Sequence, residues 1–314
     1  MGVPMVRFQN FDRVRVFTHG RVKTPHELLV GHIDDFVLGA LVRALGFPFC
    51  RLQNTDPGAV RARWGHIPDD VLHIVGDFVY PVSGEKNVVV FDHHTPNDSD
   101  ERCSVHRFVD ELVKQGLYPC TPALMSQISA WDTRGPQAVP PEARPDPDRY
   151  LAVLGAEPLP DPAGDVKWAP EDAYCVLWAL HAARSLREFV DLIYDSLAPI
   201  GARARENHAI IQQHKKTLLE KLASEAEVSV SPSGVRYATL RSQPAGMTTE
   251  LFARLGVDII IHPNERTHGA LSVVRDSNGR FASTPVAELV DAKNVVFAHP
   301  GGFLLVAYPP VGVK

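Results

Sequence analysis

Residues 87–94 read NVVVFDHH, an apolar run that ends abruptly in one aspartate and two histidines. β-Branched and aromatic residues in such a run favour a strand. A second apolar run, residues 71–75, is followed closely by Asp77, and a third, residues 14–17, leads into Thr18-His19-Gly20. Nearly continuous apolar strands are typical of a parallel sheet that is buried on both faces. The sequence therefore predicts an α/β fold.

Helices are predicted between these strands. Apolar residues recur at helical spacing over residues 35–45, where Asp34 is a candidate N-cap. A further strand follows over residues 47–52, and helices are expected over residues 104–115 and 122–131. These elements predict a doubly wound, mainly parallel α/β domain over residues 1–135.

The composition changes after Gly135. Prolines stand at positions 136, 140, 141, 145, 147, 158, 160, 162 and 170, and prolines break regular elements. We therefore expect a linker or an irregular wrap over residues 136–170. Helical patterns over residues 171–225 predict a helical connector, and mixed strand and helix patterns over residues 226–314 predict a smaller C-terminal α/β domain that binds substrate.

The bulk composition narrows the function classes. The chain has 314 residues, a formal net charge of −5 and a pI near 6.3, so a long polyanion would find no global attraction. Its four cysteines form no CxxC pair, which disfavours a zinc ribbon. No apolar run is long enough for a membrane span, and no secretory signal is evident. We expect a cytoplasmic protein that acts on small or short substrates.

Potential metal ligands follow several of the predicted strands. In open α/β sheets, ligands bind beyond the carboxyl ends of the strands. The candidate ligands are His19, His32, Asp34, Asp35, Asp77, His93 and Asp132. Each of them alone could instead cap a helix or satisfy backbone groups. The three consecutive polar residues Asp92-His93-His94 have no such explanation in packing.

The donor set indicates the class of metal. Imidazole and carboxylate without thiolate suit Mn²⁺, Fe²⁺, Zn²⁺ or Mg²⁺, and the histidines favour Mn²⁺ over a site for Mg²⁺ alone. About seven ligands exceed the usual six of one ion and match two ions that share a carboxylate. We expect His19, His32 and Asp34 around one ion, Asp35, His93 and Asp132 around the other, and Asp77 between them.

The ordered series of strand-end histidine, paired-acid turn, aspartate, Asp92-His93-His94 and Asp132 resembles the motifs of the DHH phosphoesterase superfamily. Thr18-His19-Gly20 and the turn from His32 to Asp35 look most like its RecJ-like branch of melanocyte proliferating gene type, with a longer insert at residues 21–31. The resemblance implies RNA exonuclease activity. It also implies that His93 binds metal, that His94 faces the phosphate or leaving group, and that Asp92 orients a neighbouring histidine.

A looser resemblance concerns the C-terminal region. DHH proteins commonly carry there a strand that ends in arginine and a glycine-rich loop with a histidine. Arg275, His299, Gly301 and Gly302 are similar to these features, although the histidine precedes the glycines. The resemblance implies that they bind substrate. A tight turn beside surface arginines is the alternative.

These observations predict a metal-dependent phosphoesterase that hydrolyses phosphodiester bonds of short RNA, DNA or dinucleotides. A phosphomonoesterase or a pyrophosphatase fits the same ligands, and so does a non-catalytic nucleotide sensor. The sequence leaves the oligomeric state open.

Overall fold

The computed structural model describes residues 13–24, 28–52, 70–77, 87–92, 100–162, 165–244, 247–264 and 266–314. The chain divides into two compact units, Met1–Ile211 and Gln212–Lys314. No helix in these described ranges is long and apolar enough to cross a membrane.

A four-stranded parallel sheet forms the centre of the first unit. Its strands are β1 (Arg13–His19), β4 (Phe49–Leu52), β5 (Val71–Gly76) and β6 (Val88–Phe91), in the order β4-β1-β5-β6. The short strands β2 (Val22–Lys23) and β3 (Leu29–Val30) form a separate antiparallel pair. The α/β class and the parallel sheet are as predicted. Because β4 and β5 lie on opposite sides of β1, a crevice is expected at the carboxyl ends of β1 and β5.

Helix α1 (Ile33–Ala44) follows β3 in the sequence, and its first residue differs from the prediction. His32 is the N-cap, and its side chain makes no capping hydrogen bond. Asp34 is therefore not the N-cap but lies with Asp35 in the first turn, where both carboxylates are buried. Helices α2 (Ser104–Lys114) and α3 (Met125–Arg134) complete the region that the sequence assigned to residues 1–135.

The proline-rich segment is folded, contrary to the prediction that its prolines break every regular element. It contains two short 3₁₀ turns, Pro136–Ala138 and Pro141–Ala143, and helix α4 (Pro147–Gly155). Pro147 occupies the first turn, where a missing N–H costs nothing. The Asp146 carboxylate caps the helix by accepting hydrogen bonds from the amides of Asp148 (3.1 Å) and Arg149 (2.9 Å).

This segment also belongs to the core of the first unit. Leu154 and Trp168 are buried in the same hydrophobic cluster as Val16 and Phe36. The rings of Phe36 and Trp168 pack edge to face, with 5.3 Å between their centroids. The first compact unit therefore extends past the predicted boundary at residue 135. Burial of apolar side chains packs residues 136–170 against the sheet. The number of prolines gives no information about this burial.

The remaining helices of the chain are α5 (Pro170–Ala182), α6 (Leu186–Tyr194) and α7 (Pro199–Glu225). Within residues 171–225, the helical patterns cover residues 171–197 and 202–225, and each predicts a helix. The structure has two helices in the first of these ranges, because Ser185 begins α6 by accepting a hydrogen bond from the amide of Glu188 at 3.1 Å. Helix α7 contains the division between the two units.

The second unit contains a six-stranded sheet in the order β11-β12-β10-β9-β8-β7. Its strands are β7 (Glu227–Val230), β8 (Arg236–Thr239), β9 (Ile259–Pro263), β10 (Leu271–Arg275), β11 (Val290–Ala298) and β12 (Leu304–Val313). Strands β8 and β9 are parallel, and the other pairs are antiparallel. Helices α8 (Thr248–Leu255) and α9 (Val286–Leu289) complete the unit.

Candidate metal centre

Two groups of potential metal ligands lie at the start of α1. In the first, ligand atoms of His32, Asp34 and Asp132 all lie within 4.8 Å of one another. In the second, ligand atoms of Asp34, Asp35 and Asp77 lie within the same distance of one another. Asp34 belongs to both groups. The predicted division placed Asp132 with Asp35 and put Asp77 between the ions, whereas this geometry places Asp132 with His32 and gives Asp34 the shared position.

His32 connects the two groups. Its Nδ1 lies 3.1 Å from Asp77 Oδ2 and 3.9 Å from Asp132 Oδ1. The His32 side chain is 49% exposed, whereas those of Asp77 and Asp132 are 0% and 4% exposed. The imidazole therefore lies at the solvent side of the centre, with the carboxylates beneath it.

Asp77 follows β5 directly and has an unusual backbone. Its φ is +57°, in the left-handed region that residues other than glycine seldom adopt. Its amide lies 3.1 Å from the carbonyl oxygen of Phe91 and 2.8 Å from Ser104 Oγ, and it donates to both. These contacts hold the left-handed turn, which is the kind of local strain that often accompanies functional sites.

Asp34 is completely buried. Its Oδ1 accepts a hydrogen bond from the amide of Asp35 at 2.7 Å, while Oδ2 has no hydrogen-bond partner among the described residues. Burial raises the pKa of Asp34 well above its ordinary value, and the nearby carboxylates of Asp77, Asp132 and Asp35 raise it further. A buried carboxylate among like charges is stabilised in its ionised form by a cation. A divalent metal ion therefore fits this position.

Sulfur is an unfavourable ligand here. Cys103 is fully buried beside the centre, and burial raises the pKa of its thiol, as do Asp34 and Asp132. Its sulfur accepts a hydrogen bond from Ser129 Oγ at 3.4 Å. Because a metal ligand must be the thiolate, these effects leave nitrogen and oxygen as the donors.

Asp35 has a different environment from Asp34. The Thr18 hydroxyl donates a hydrogen bond to its Oδ1, and Arg51 Nη1 lies 2.8 Å from its Oδ2. Arg51 also contacts Glu157, with Nη2 2.7 Å from Oε2 and Nε 3.3 Å from Oε1. Burial lowers the pKa of Arg51, but Glu157 and Asp35 outweigh it and raise the pKa overall.

Sequence reasoning missed Thr18, Arg51 and Glu157. The available signal was Arg51 itself, a charged residue inside the otherwise apolar strand Phe49–Leu52. An arginine in a buried strand requires an anionic partner. No local pattern indicated Glu157, which is 106 positions away.

The other predicted site residues of the first unit are His19, Asp92, His93 and His94. His19 is the last residue of β1, and its backbone pairs with Leu52 of β4. His93 and His94 lie outside the described residues. Asp92 is buried at the end of β6, and its carbonyl oxygen accepts a hydrogen bond from Arg107 Nη1 at 2.7 Å. The structure thus brings together five of the predicted residues: His32, Asp34, Asp35, Asp77 and Asp132.

The predicted substrate-binding residues share one end of the second sheet. The amide of Arg275 donates to the carbonyl of Phe303 at 2.9 Å, and the turn from His299 to Gly302 joins β11 to β12. His299 Nδ1 accepts from the Gly301 amide at 3.0 Å, and Gly302 adopts a φ of +69°. These contacts form a tight turn between β11 and β12. Arg275, however, is only 5% exposed and is not a surface arginine.

No protein-family model and no curated protein matches the sequence. Among solved structures, one that it resembles is a DHH domain described as a member of a family of ribosomal proteins, with a TM-score of 0.34 and 13% identity over 96% of this chain and 83% of that chain. Another is RecJ from Thermus thermophilus, in complex with Mn²⁺ (TM-score 0.33, 15% identity, 94% of this chain and 49% of that chain) or with Mg²⁺ (TM-score 0.32, 15% identity, 96% and 47%).

The chain thus spans about half the length of RecJ. These solved structures belong to the group of proteins that the sequence motifs resemble. With TM-scores below 0.5, the likenesses carry no argument about activity.

Proposed function

We propose that the chain is a two-metal phosphoesterase that hydrolyses phosphodiester bonds of short RNA, DNA or dinucleotides. The observation that carries this proposal is the pair of ligand groups that share the buried carboxylate of Asp34. Two ions that share a carboxylate form a common arrangement for phosphoryl chemistry. The position at the carboxyl ends of β1 and β5 is also where open α/β sheets bind ligands.

The residues fit two ions. His32, Asp34 and Asp132 would hold one, and Asp34 with Asp77 would contribute to the other. From the sequence, we propose that His19 and His93 add nitrogen ligands. Mixed nitrogen and oxygen donors make Mn²⁺ our first choice, with Mg²⁺, Zn²⁺ and Fe²⁺ as alternatives. When bound, such ions neutralise phosphate oxygens and promote ionisation of water.

The chain's own residues would then position the substrate. We propose that His94 contacts the phosphate or protonates the leaving oxygen, and that Asp92 orients a neighbouring histidine. We also propose that Arg275 binds an anionic end of the substrate, because guanidinium is a suitable phosphate donor, and that the turn at Gly301 and Gly302, whose amides both donate to His299, lets that end approach the backbone closely. His299 would orient this turn through its contact with Gly301.

Hydrolysis of an aryl phosphodiester with added Mn²⁺ tests the proposal. Wild type should turn over, and Asp34→Asn should not, because it removes the shared carboxylate. Asp195→Asn is the matched control, since Asp195 is exposed at the end of α6. An inactive wild type that binds no divalent ion would contradict the proposal.

The same assay separates the alternatives. A phosphomonoesterase would prefer an aryl phosphomonoester, and a pyrophosphatase would prefer inorganic pyrophosphate. Tight binding of a dinucleotide without hydrolysis, under Mn²⁺, Mg²⁺, Zn²⁺ and Fe²⁺ alike, would indicate a nucleotide sensor.

A further inference from the structure

The acidic residues at the start of α1 divide into two electrostatic classes. We infer that Asp35 does not bind a metal ion, but is a positioning carboxylate that Arg51 and Glu157 hold against the metal centre. This inference rests on the proposed two-metal function. It concerns which of the two adjacent aspartates, Asp34 or Asp35, is the ligand.

Distance alone does not decide between them. Ligand atoms of Asp35 lie within 4.8 Å of those of Asp34 and Asp77, so Asp35 could contribute to the second ion. The charged partners differ. Asp35 Oδ1 accepts a hydrogen bond from the Thr18 hydroxyl, and Asp35 Oδ2 forms an ion pair with Arg51 Nη1 at 2.8 Å. The charged groups that act on Asp34 among the described residues are all carboxylates, those of Asp77, Asp132 and Asp35.

Charge separates the two aspartates further. The Arg51 side chain is 1% exposed, and those of Asp35 and Glu157 are 0% exposed. Arg21 Nε lies 3.9 Å from Glu157 Oε2. Asp35 and Glu157 thus bring two negative charges to the two positive charges of Arg51 and Arg21. A buried ion pair that loses one partner leaves an uncompensated charge, which is strongly unfavourable. Rotation of Asp35 towards a metal ion would create that situation at Arg51.

The surroundings of Arg51 leave it little freedom to move. A Cβ atom on Gly31 would lie 2.6 Å from Arg51 Nη2 and 2.9 Å from Nη1, so the backbone closes over the guanidinium. On the other side, Glu157 contacts Arg51 through two hydrogen bonds, and such paired contacts fix the plane of the guanidinium. Arg51 therefore holds the Asp35 carboxylate in one orientation, and with it the first turn of α1 that carries Asp34.

Arg21 links this cluster to the proline-rich segment. Its guanidinium donates to the carbonyl oxygens of Gly155 (3.2 Å), the last residue of α4, and of Glu157 (3.2 Å) and Pro158 (3.4 Å), which follow the helix. The insert at residues 21–31 and the segment after α4 are thus joined by Arg21. Together they place Glu157 behind Arg51.

Equilibrium titration with Mn²⁺, together with the number of ions bound at saturation, tests the inference. Asp34→Asn should lose at least one ion. Asp35→Asn should keep the wild-type number of ions, with an affinity weakened by no more than about 100-fold, as for other groups that orient metal ligands. Loss of an ion in Asp35→Asn to the same extent as in Asp34→Asn would overturn the inference.

A second variant, Arg51→Gln/Glu157→Gln, covers the case in which Asp35→Asn does not fold. It releases Asp35 without changing the net charge or leaving Glu157 unpaired. If Asp35 is a positioning residue, Mn²⁺ affinity should fall by roughly 10-fold to 100-fold. If Asp35 were a ligand that Arg51 competes for, affinity should instead rise, and the inference would be overturned.

The wild-type titration separates this inference from the proposed function. A wild type that binds no Mn²⁺ contradicts the two-metal proposal itself. A wild type that binds two ions and hydrolyses phosphodiesters, beside an Asp35→Asn variant that lacks one ion, contradicts only the assignment of Asp35.

Discussion

His32 Nδ1 lies 3.1 Å from Oδ2 of Asp77, although the two residues are 45 positions apart in the sequence. The contact joins the start of α1 to the end of β5. Because His32 also lies 3.9 Å from Asp132, one imidazole touches carboxylates from two other elements. Any ion held by His32 and Asp132 would therefore respond to the geometry at Asp77.

We expect His32→Ala to lose bound metal and activity together. Elemental analysis after Mn²⁺ loading should show at least one ion fewer per chain. Hydrolysis of an aryl phosphodiester should fall by about 100-fold or more, the scale reached when one preorganised electrostatic group is removed from an active site. His181→Ala is the control, because His181 is not part of the metal centre. Its Nε2 lies 2.7 Å from the hydroxyl oxygen of Tyr118. Full metal content and full activity in His32→Ala would refute its role.

The sequence could predict that His32, Asp34, Asp35, Asp77 and Asp132 lie together, because strand ends and helix starts can be read locally. The residues around Asp35 could not be found in this way. The contact between Arg51 and Glu157 spans 106 positions, and it exists only once the proline-rich segment has folded back onto the sheet. The N-cap prediction failed for a related reason: tertiary burial draws Asp34 into the first turn of α1.

Trp168→Ala tests whether the proline-rich segment belongs to the first unit. Trp168 is 3% exposed and contacts Phe36 of α1, so the substitution should lower the free energy of unfolding by about 3–5 kcal/mol. Trp178→Ala is a matched control, because Trp178 is 53% exposed on α5. Its cost should be within about 0.5 kcal/mol. Denaturant unfolding measures both, and equal costs would mean that Trp168 is not part of the core.

The contrast between buried and exposed residues also explains which helices and strands the sequence could predict. Strands β5 and β6 are found because their apolar runs are buried or half-buried. In the C-terminal region the sequence predicts a helix over residues 248–255, which α8 matches over its full length, and strands over residues 236–240, 257–262, 270–274 and 303–307. It predicts no strand at β7 or β11, because nearly all of their residues are exposed and alternation of apolar and polar residues carries no signal. Helix α4 was missed because Pro147, at its first position, resembles a helix breaker.

Gly31→Ala should disturb Arg51 specifically. An arginine could ordinarily move away from a new methyl group, but Asp35 and Glu157 hold this guanidinium in place. We expect a loss of about 1–3 kcal/mol in the free energy of unfolding of the metal-free protein, which is typical of overpacking. Gly312→Ala is the control, since its Cβ would meet nothing within 4 Å. Equal stability of the two variants would show that Arg51 adapts without cost.

Substitution of the two histidines in the Asp92-His93-His94 motif should affect different properties, metal binding for His93 and turnover for His94. His93→Ala should lose one ion and activity together, because His93 is the proposed ligand. His94→Ala should keep its metal and lose turnover by roughly 100-fold or more, as expected when a positioned acid or charge stabiliser is removed. Metal titrations beside steady-state assays separate the two. Equal metal loss in both variants would show that the roles are not divided as proposed.

His73 on β5 should make the stability depend on pH. Burial, with a smaller effect of Arg15, lowers the pKa of His73 from 6.5 to about 4. As the pH falls from 6.5 towards 4, the unfolded chain takes up a proton that the folded chain refuses, so stability is present above pH 6.5 and is lost on acidification. We expect His73→Gln to lose less stability than wild type between about pH 7 and about pH 4.5. Denaturant unfolding of both metal-free proteins measures the difference, in which the titration of the metal-centre carboxylates cancels. An equal or steeper loss in His73→Gln would show that His73 is not the group responsible.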